Sequence, residues 1–182
     1  MSLSMHAFVV ESFAPMLGTL THLTDKAREH ARLHGSDVAS LVEAKLAPDM
    51  FPFRGQVQLA CFHAHDAVAR LTGGAGPVQG MPEETIDQLD LRVSRTLEIL
   101  NGTSPSALAG ADERLIVIPL PPSAGEGMEF QMTGLQFVRD WSLPHFYFHV
   151  VTAYDALRNA GVVVGKRDYV RGVGRYIKKR EA

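Results

Sequence analysis

The sequence predicts a mainly α-helical protein, a four-helix bundle with a small β-hairpin inserted between helices three and four. Three observations support this prediction. Four long segments each carry their apolar residues in one stripe at helical spacing. Long connections that contain proline or glycine separate these segments. Between the third and fourth segments, the hydrophobic pattern changes to the short apolar or alternating runs that are typical of strands.

The first long helix is predicted over residues 5–34, because apolar residues recur there at helical spacing and a glycine follows. Pro15 lies inside this segment, so we expect either a kink at that point or a later start. Residues 36–47 favour a short helix, for which Ser36 and Asp37 are possible N-caps.

The second long helix is predicted over residues 54–72, which lead into a glycine-rich stretch. The third is predicted to open at Pro82, with Glu83 and Glu84 in its first turn, where acidic side chains interact favourably with the helix dipole. Its apolar stripe continues to Leu100, and an Asn-Gly pair stops it.

The next segment predicts the β-hairpin and the last helix. Residues 114–120 and 128–134 are apolar or alternating runs, and the turn-forming sequence PPSAGEG lies between them. The fourth long helix is predicted to start near Thr133 or Ser142 and to end at Gly161.

Length and composition limit the classes of protein. The 182 residues, 46% hydrophobic and 21% charged, predict one domain over 1–182, with 162–182 as a short C-terminal tail. The net charge of −2 gives no field that would attract nucleic acid or an anionic membrane. No apolar run approaches the roughly 20 residues of a membrane span, and the start lacks the features of a signal peptide. We therefore expect a cytoplasmic protein that binds neither nucleic acid nor membrane, and we interpret the basic run 178–180 as solvated.

The chain has a single cysteine, Cys61, which excludes an intramolecular disulfide and suits a reducing compartment. It lies in an apolar stripe, which is typical of a small core residue. The alternative is a nucleophile activated by His65, four residues further along the helix.

Two histidines in the sequence HFYFHVV raise the question of a metal site. On a helical wheel, His145 and His149 share a narrow polar strip with Thr152 and Asn159, while most of the remaining circumference is apolar. Imidazoles at positions i and i+4 are well spaced to hold one metal ion if the strip lines a pocket. The alternative is that the strip faces water.

A third ligand would have to come from the second long helix, where His63 and His65 are the candidates. These residues lie about 200° apart on a helix, so they cannot both point into one site. His63 lies on the side of Gln56, and His65 lies nearer Cys61. We expect Gln56, with Thr152 and Asn159, to line the pocket.

The sequence HFYFHVVTAYDALRNAGVVVGKRDYV resembles the last helix of the DinB/YfiT-like superfamily of bacterial four-helix bundles. Together with PFRGQVQLA and AVARLTG on helix two, it is most similar to one branch of that superfamily, which is known only as a domain of unknown function. The resemblance covers essentially the whole chain. It implies a DinB-like bundle that assembles as a homodimer.

The resemblance also implies a chemistry. Known members of the superfamily include thiol-dependent transferases and an isomerase of small molecules, with a divalent metal held by three histidines. His145 and His149 match the pair on the last helix. The position of the third ligand falls near Val57 or Ala60, one turn before His63, so the chain departs from the pattern there.

Two functions are therefore open at this stage. The first is a divalent-metal-dependent enzyme (nickel, zinc or iron) that acts on a small molecule or a thiol. Its ligands would be His145, His149 and His63, with His65 as the substitute, and no catalytic residue is assigned. The second is a metal-free dimeric bundle that binds a small ligand or has a structural role.

Overall fold

The structure, a computed structural model, describes residues 4–179. Four long helices build it: α1 (Met5–His34), α3 (Phe53–Leu71), α4 (Ile86–Gly102) and α6 (Leu143–Asn159), with α2 (Val38–Val42), α5 (Gly134–Gln136) and α7 (Lys166–Tyr169) as shorter helices. The strands β1 (Leu115–Pro119) and β2 (Glu129–Thr133) pair between α4 and α6, and 3₁₀ segments span Pro105–Leu108 and Arg171–Tyr176. The predicted four-helix bundle with an inserted hairpin is confirmed.

The four long helices share one apolar core. Helices α1 and α3 each pack against both α4 and α6, and they meet each other less extensively. The bundle therefore departs from a simple up-and-down order, which its long connections permit. In the core, the rings of Phe13 and Phe146 meet edge to face with centroids 4.8 Å apart. The two other largest buried aromatic residues are Phe53 and Phe137.

Helix α1 begins at Met5, so the later start that Pro15 suggested is wrong. The Ser4 side chain accepts a hydrogen bond from the Ala7 N–H, and Gly35 ends the helix with φ 61°. Pro15 costs the helix one backbone hydrogen bond, but residues on both sides of it are fully buried in the core. The packing of this helix therefore outweighs the missing donor.

The third long helix begins later than predicted. Pro82 and the two glutamates after it lie outside α4, because the capping box at Thr85 sets the start at Ile86. The Thr85 side chain accepts from the Gln88 N–H, and the Gln88 side chain accepts from the Thr85 N–H. The short helix α2 is also briefer than predicted, and Asp37 caps it.

Both predicted starts of the last helix fall at real boundaries. Thr133 caps α5, a π-helical segment (Phe137–Ser142) follows without a break, and α6 continues from Leu143. Helix α5 begins at Gly134, where an added Cβ would lie 1.8 Å from the Ala111 carbonyl oxygen. Only glycine therefore allows this close approach of the two backbones.

The hairpin is fixed to the bundle through α3. The Arg70 guanidinium pairs with the Asp66 carboxylate at 2.7 Å and donates to the Val117 carbonyl oxygen on β1 at 3.2 Å. Ile116, the neighbouring residue on β1, is buried. The hairpin is therefore attached to the bundle rather than projecting freely into solvent.

The chain after α6 folds back onto α1. The Asp168 carboxylate accepts from the Gly165 N–H at 2.8 Å and pairs with His22 Nε2 at 2.7 Å. The basic run that we interpret as solvated ends at Arg180, which lies outside the described residues; Lys178 and Lys179 are exposed. No helix between residues 4 and 179 is both long enough and apolar enough to span a bilayer.

Candidate functional site

Three imidazole rings stack between α3 and α6. The ring of His63, on α3, lies close to the rings of both His145 and His149, on α6. Its centroid is 4.8 Å from that of His145 and 5.5 Å from that of His149, with interplanar angles of 26° and 11°. The structure thus places three of the candidate ligands together. We call this group the histidine column.

Helical spacing explains why the column forms where it does. His145 and His149 are one turn apart on the side of α6 that faces α3. His63 and Gln56 are two turns apart on α3, so they share the side that faces α6. The two helices pack closely along their length, which brings the two polar strips into contact.

Hydrogen bonds fix the tautomers of the two α6 histidines. His145 Nδ1 lies 2.6 Å from the Trp141 carbonyl oxygen, and His149 Nδ1 lies 2.8 Å from Gln56 Oε1. Gln56 Nε2 donates to the Phe51 carbonyl at 3.0 Å, which fixes the orientation of the amide. Because an oxygen acceptor requires a donor, Nδ1 carries the proton in both rings. In the neutral form of each ring, Nε2 then keeps the lone pair.

His63 has a different environment. Its side chain is buried, and its Nδ1 atom finds no hydrogen-bond partner within residues 4–179. A buried polar atom without a partner costs about 1–3 kcal/mol in a typical protein, so such atoms require an explanation.

Two of the three rings of the column are uncharged at neutral pH. Burial, reinforced by the neighbouring His145 and His149, lowers the pKa of His63 to about 3. Burial, with His145 beside it, lowers the pKa of His149 to about 4. Both rings therefore keep a nitrogen lone pair available at pH 7, as a metal ligand requires.

The rings as they stand do not form a metal centre. Across residues 4–179, no group of three His, Cys, Asp or Glu side chains is arranged to hold a metal ion. The reason lies in the stacking. Imidazole lone pairs lie in the ring plane, and nearly parallel rings whose centroids are 4.8 and 5.5 Å apart do not direct three lone pairs at one point.

Aromatic side chains extend the column at both ends. The Trp141 ring lies 4.6 Å from that of His145, and the Phe130 ring of β2 lies 5.2 Å from that of Trp141. At the other end, Phe148 meets the His149 ring at 5.4 Å. Trp141 was not among the predicted site residues, although its position four residues before His145 places it on the same side of the helix.

Other predicted site residues lie elsewhere. His65 is on the opposite side of α3 from His63, so it does not join the column. Thr152 is buried, but its hydroxyl donates to the Phe148 carbonyl of its own helix at 2.7 Å. Asn159 is exposed and donates to the Lys45 carbonyl at 3.3 Å. Of the three residues expected to line the pocket, only Gln56 forms a hydrogen bond with a histidine of the column.

Cys61, the alternative nucleophile, has a structural role, and so has Asp66 on the same helix. Burial raises the pKa of the Cys61 thiol to about 12, against the weaker effect of a hydrogen bond with Thr96. A neutral buried thiol is a poor nucleophile, so the core interpretation holds. Asp66 is buried and bound to Arg70.

The fold and the histidine column define a DinB-like helical bundle protein. A solved structure described as a DinB family member protein from Shewanella denitrificans is 37% identical to the chain, with a TM-score of 0.79. The alignment covers 91% of this chain and 90% of that one. Residues 5–170 match the family described as "Domain of unknown function (DUF1993)", and the chain belongs to that family. No curated protein matches the sequence.

Proposed function

We propose that the protein binds one divalent metal ion through His63, His145 and His149 and acts as an enzyme on a small molecule or a thiol. The observation that supports this proposal is the state of the ring nitrogens. Two rings have Nδ1 bound to oxygen acceptors, and the third has a buried nitrogen without a partner in the described chain. Hydrogen bonds of this kind orient the imidazoles of known metal sites.

Three imidazole nitrogens are suitable ligands for nickel, zinc or iron in both kind and number. The orientation of the stacked rings, however, does not suit coordination of one ion. Binding therefore requires at least one ring to rotate about its Cβ–Cγ bond. His63 is the candidate, because no hydrogen bond of the described residues holds its Nδ1 in place. A bound ion would supply Lewis acidity and lower the pKa of a coordinated water or thiol.

The chain's own residues would prepare the site in three ways. Gln56 and the Trp141 carbonyl hold the protons of His149 and His145 on Nδ1, so both rings present Nε2. Burial keeps His63 and His149 neutral at pH 7. The rings of Trp141 and Phe148 border the column and reduce the access of water.

Metal analysis of untagged protein tests the proposal. After reconstitution with each of the three metals and removal of excess ion, we expect about one equivalent per chain, measured by inductively coupled plasma mass spectrometry. His63→Ala and His149→Ala should each abolish stoichiometric binding. The control is His34→Ala, which removes an exposed histidine and should leave binding unchanged. Stoichiometric metal in His63→Ala would contradict the proposal.

The stacked orientation favours a second candidate, a metal-free dimeric bundle that binds a small ligand or has a structural role. Stacked neutral imidazoles are a stable arrangement without an ion. The absence of metal from the wild-type protein after all three reconstitutions would favour this candidate.

We also propose that the protein is a cytoplasmic homodimer. The solvent-facing side of α6 carries the apolar residues Pro144, Phe148 and Val151, and Phe148 is 53% exposed. Sedimentation velocity tests the assembly: the wild type should sediment as a dimer, and Phe148→Lys should sediment as a monomer. A monomeric wild type would contradict the proposal. Fractionation of the source cells tests the location.

A further inference from the structure

A second cleft lies on the side of α3 that faces away from the histidine column. It has a volume of about 280 Å³ and is enclosed by α3, α4 and the loop that precedes α4. His65 and Phe62 border it from α3, and Arg92, Arg95 and Ile99 border it from α4. These three α4 positions recur at helical spacing, so they lie on one side of the helix.

One charged pair in this cleft is held in place by buried contacts. Arg92 Nη1 donates to both carboxylate oxygens of Glu83, at 3.0 and 2.9 Å, and both side chains are at least four-fifths buried. Gln58, fully buried, donates to the same glutamate through Nε2. The negative charge of Glu83 is thus neutralised, and within residues 4–179 the Nε and Nη2 groups of Arg92 have no acceptor.

Two further polar side chains of the cleft, Arg95 and His65, are donors without an acceptor among residues 4–179. Arg95 is exposed and forms neither an ion pair nor a side-chain hydrogen bond with any described residue. His65 likewise has no hydrogen bond to the described part of the chain. Burial, together with Arg92, lowers the pKa of His65 despite the opposing effect of Asp66, so the neutral ring offers one N–H. With two arginines and one glutamate, the lining carries a net charge of +1 (2 − 1).

The walls between these donors are apolar. Phe62 and Ile99 are half-buried, and Pro77 and Val78 border the cleft from the loop. A concave site with apolar walls and a few convergent polar groups is the usual form of a small-molecule site. Here the convergent groups are cationic or neutral donors, which select a carboxylate over a neutral or cationic head group.

We propose that this cleft binds a small carboxylic acid with a flat apolar body. The carboxylate would lie against Arg95 and the free donors of Arg92, and the body would lie between Phe62, Ile99 and Val78. The cleft and the histidine column occupy opposite sides of α3, so this proposal does not depend on the metal.

Titration with 2-naphthoate tests this site on the full chain. Calorimetry and ¹H–¹⁵N spectra should show saturable binding at millimolar concentration, with shifts at the α3 and α4 residues of the cleft. The uncharged 2-naphthamide should bind at least tenfold more weakly. An equal affinity for the amide, or the absence of shifts at the cleft, would overturn the proposal.

Variants locate the binding without disturbing the fold. Arg95→Gln removes an exposed guanidinium and should weaken naphthoate binding about five- to tenfold, since a charge-assisted hydrogen bond is lost. Val78→Asp, at a residue that is 94% exposed, should weaken it through repulsion. Arg32→Gln, which removes an exposed charge on α1, should leave the affinity unchanged. An unchanged affinity in Arg95→Gln would overturn the proposal.

Discussion

Gln56 and His149 form a hydrogen bond of 2.8 Å between the amide Oε1 and the ring Nδ1, and this bond joins α3 to α6 inside the bundle. Gln56 is 1% exposed, and its Nε2 is bound to the Phe51 carbonyl. Each polar group of this side chain therefore has a partner, and the ring of His149 depends on it.

Replacing Gln56 should affect both stability and the tautomer of His149. In Gln56→Leu, the Phe51 carbonyl and His149 Nδ1 lose their partner, which should lower the free energy of unfolding by about 1–3 kcal/mol. Urea denaturation measures this loss, and ¹⁵N spectra of the ring should show a mixture of tautomers in place of one. Gln79→Leu, at an exposed position, serves as the control. A single unchanged tautomer in Gln56→Leu would contradict our interpretation of this bond.

The stability of the protein should fall as the pH decreases from about 7 to about 5. The unfolded chain protonates His63 and His149 near their ordinary pKa of about 6.5, whereas the folded rings stay neutral down to about 4 and below. The unfolded state therefore binds more protons in this window, and acid favours it. The loss should be at most about 2 kcal/mol for each histidine.

Urea denaturation at several pH values measures the slope of the free energy of unfolding against pH. His63→Leu should have a smaller slope than the wild type, because one of the buried histidines with a lowered pKa is gone. His34→Leu, which removes an exposed histidine, should retain the full slope. A wild-type stability that is constant over this range would be inconsistent with neutral buried rings.

Gly134 should not tolerate a side chain. An alanine Cβ would meet the Ala111 carbonyl oxygen at 1.8 Å and a Leu71 methyl at 2.9 Å, so the backbone would have to move. We expect Gly134→Ala to lower the free energy of unfolding by about 1–3 kcal/mol. The control is Gly18→Ala in α1, where nothing lies within 4 Å of the added Cβ. That change should be neutral or stabilising by about 0.5–1 kcal/mol. Thermal and urea unfolding of the two variants measure the difference in stability between them.

The hydrogen bond between His22 and Asp168 should anchor the C-terminal segment to α1. In Asp168→Ala, both this hydrogen bond and the acceptor for the Gly165 N–H are lost. Amide exchange over residues 166–176 should become faster, while exchange in the core of α3 should be unchanged. Lys166→Ala, an exposed neighbour in the same helix, is the matched control. Equal exchange in both variants would argue against an anchoring role.

Trp141 should report on the histidine column. It is the only tryptophan in the chain, and its ring lies 4.6 Å from that of His145. If metal binding reorients the column, the emission of Trp141 should change during a zinc titration and saturate near one equivalent. His145→Ala should remove this response. A saturable change that persists in His145→Ala would indicate binding at another place.

Helical spacing was sufficient to predict much of this fold and part of the site. The stripes of α1, α3 and α4 predicted the helices to within a few residues, and the i, i+4 spacing of His145 and His149 placed them on one side of α6. The 200° separation of His63 and His65 correctly required that only one of them could join the pair.

What the sequence could not predict depends on contacts between distant segments. Whether His63 or His65 faces α6 depends on how α3 rotates between its neighbours, which no local pattern reveals. The capping box at Thr85 is a local signal that competed with Pro82 for the start of α4, and its reciprocal hydrogen bonds decided the outcome. The proximity of Phe130 and Trp141 depends on where the hairpin folds back, which is a tertiary property.

The π-helical segment Phe137–Ser142 determines the angle about the helix axis at which the side chains of α6 point. A wider turn holds about one residue more than an α-helical turn, and one residue corresponds to about 100° of rotation. Deleting a single residue from this segment would restore the ordinary helical pitch. It would also swing His145 and His149 about a quarter of a turn away from α3 while leaving their spacing intact. Two chains with the same HFYFHVV sequence can therefore present it to different neighbours, and the length of the preceding turn decides which.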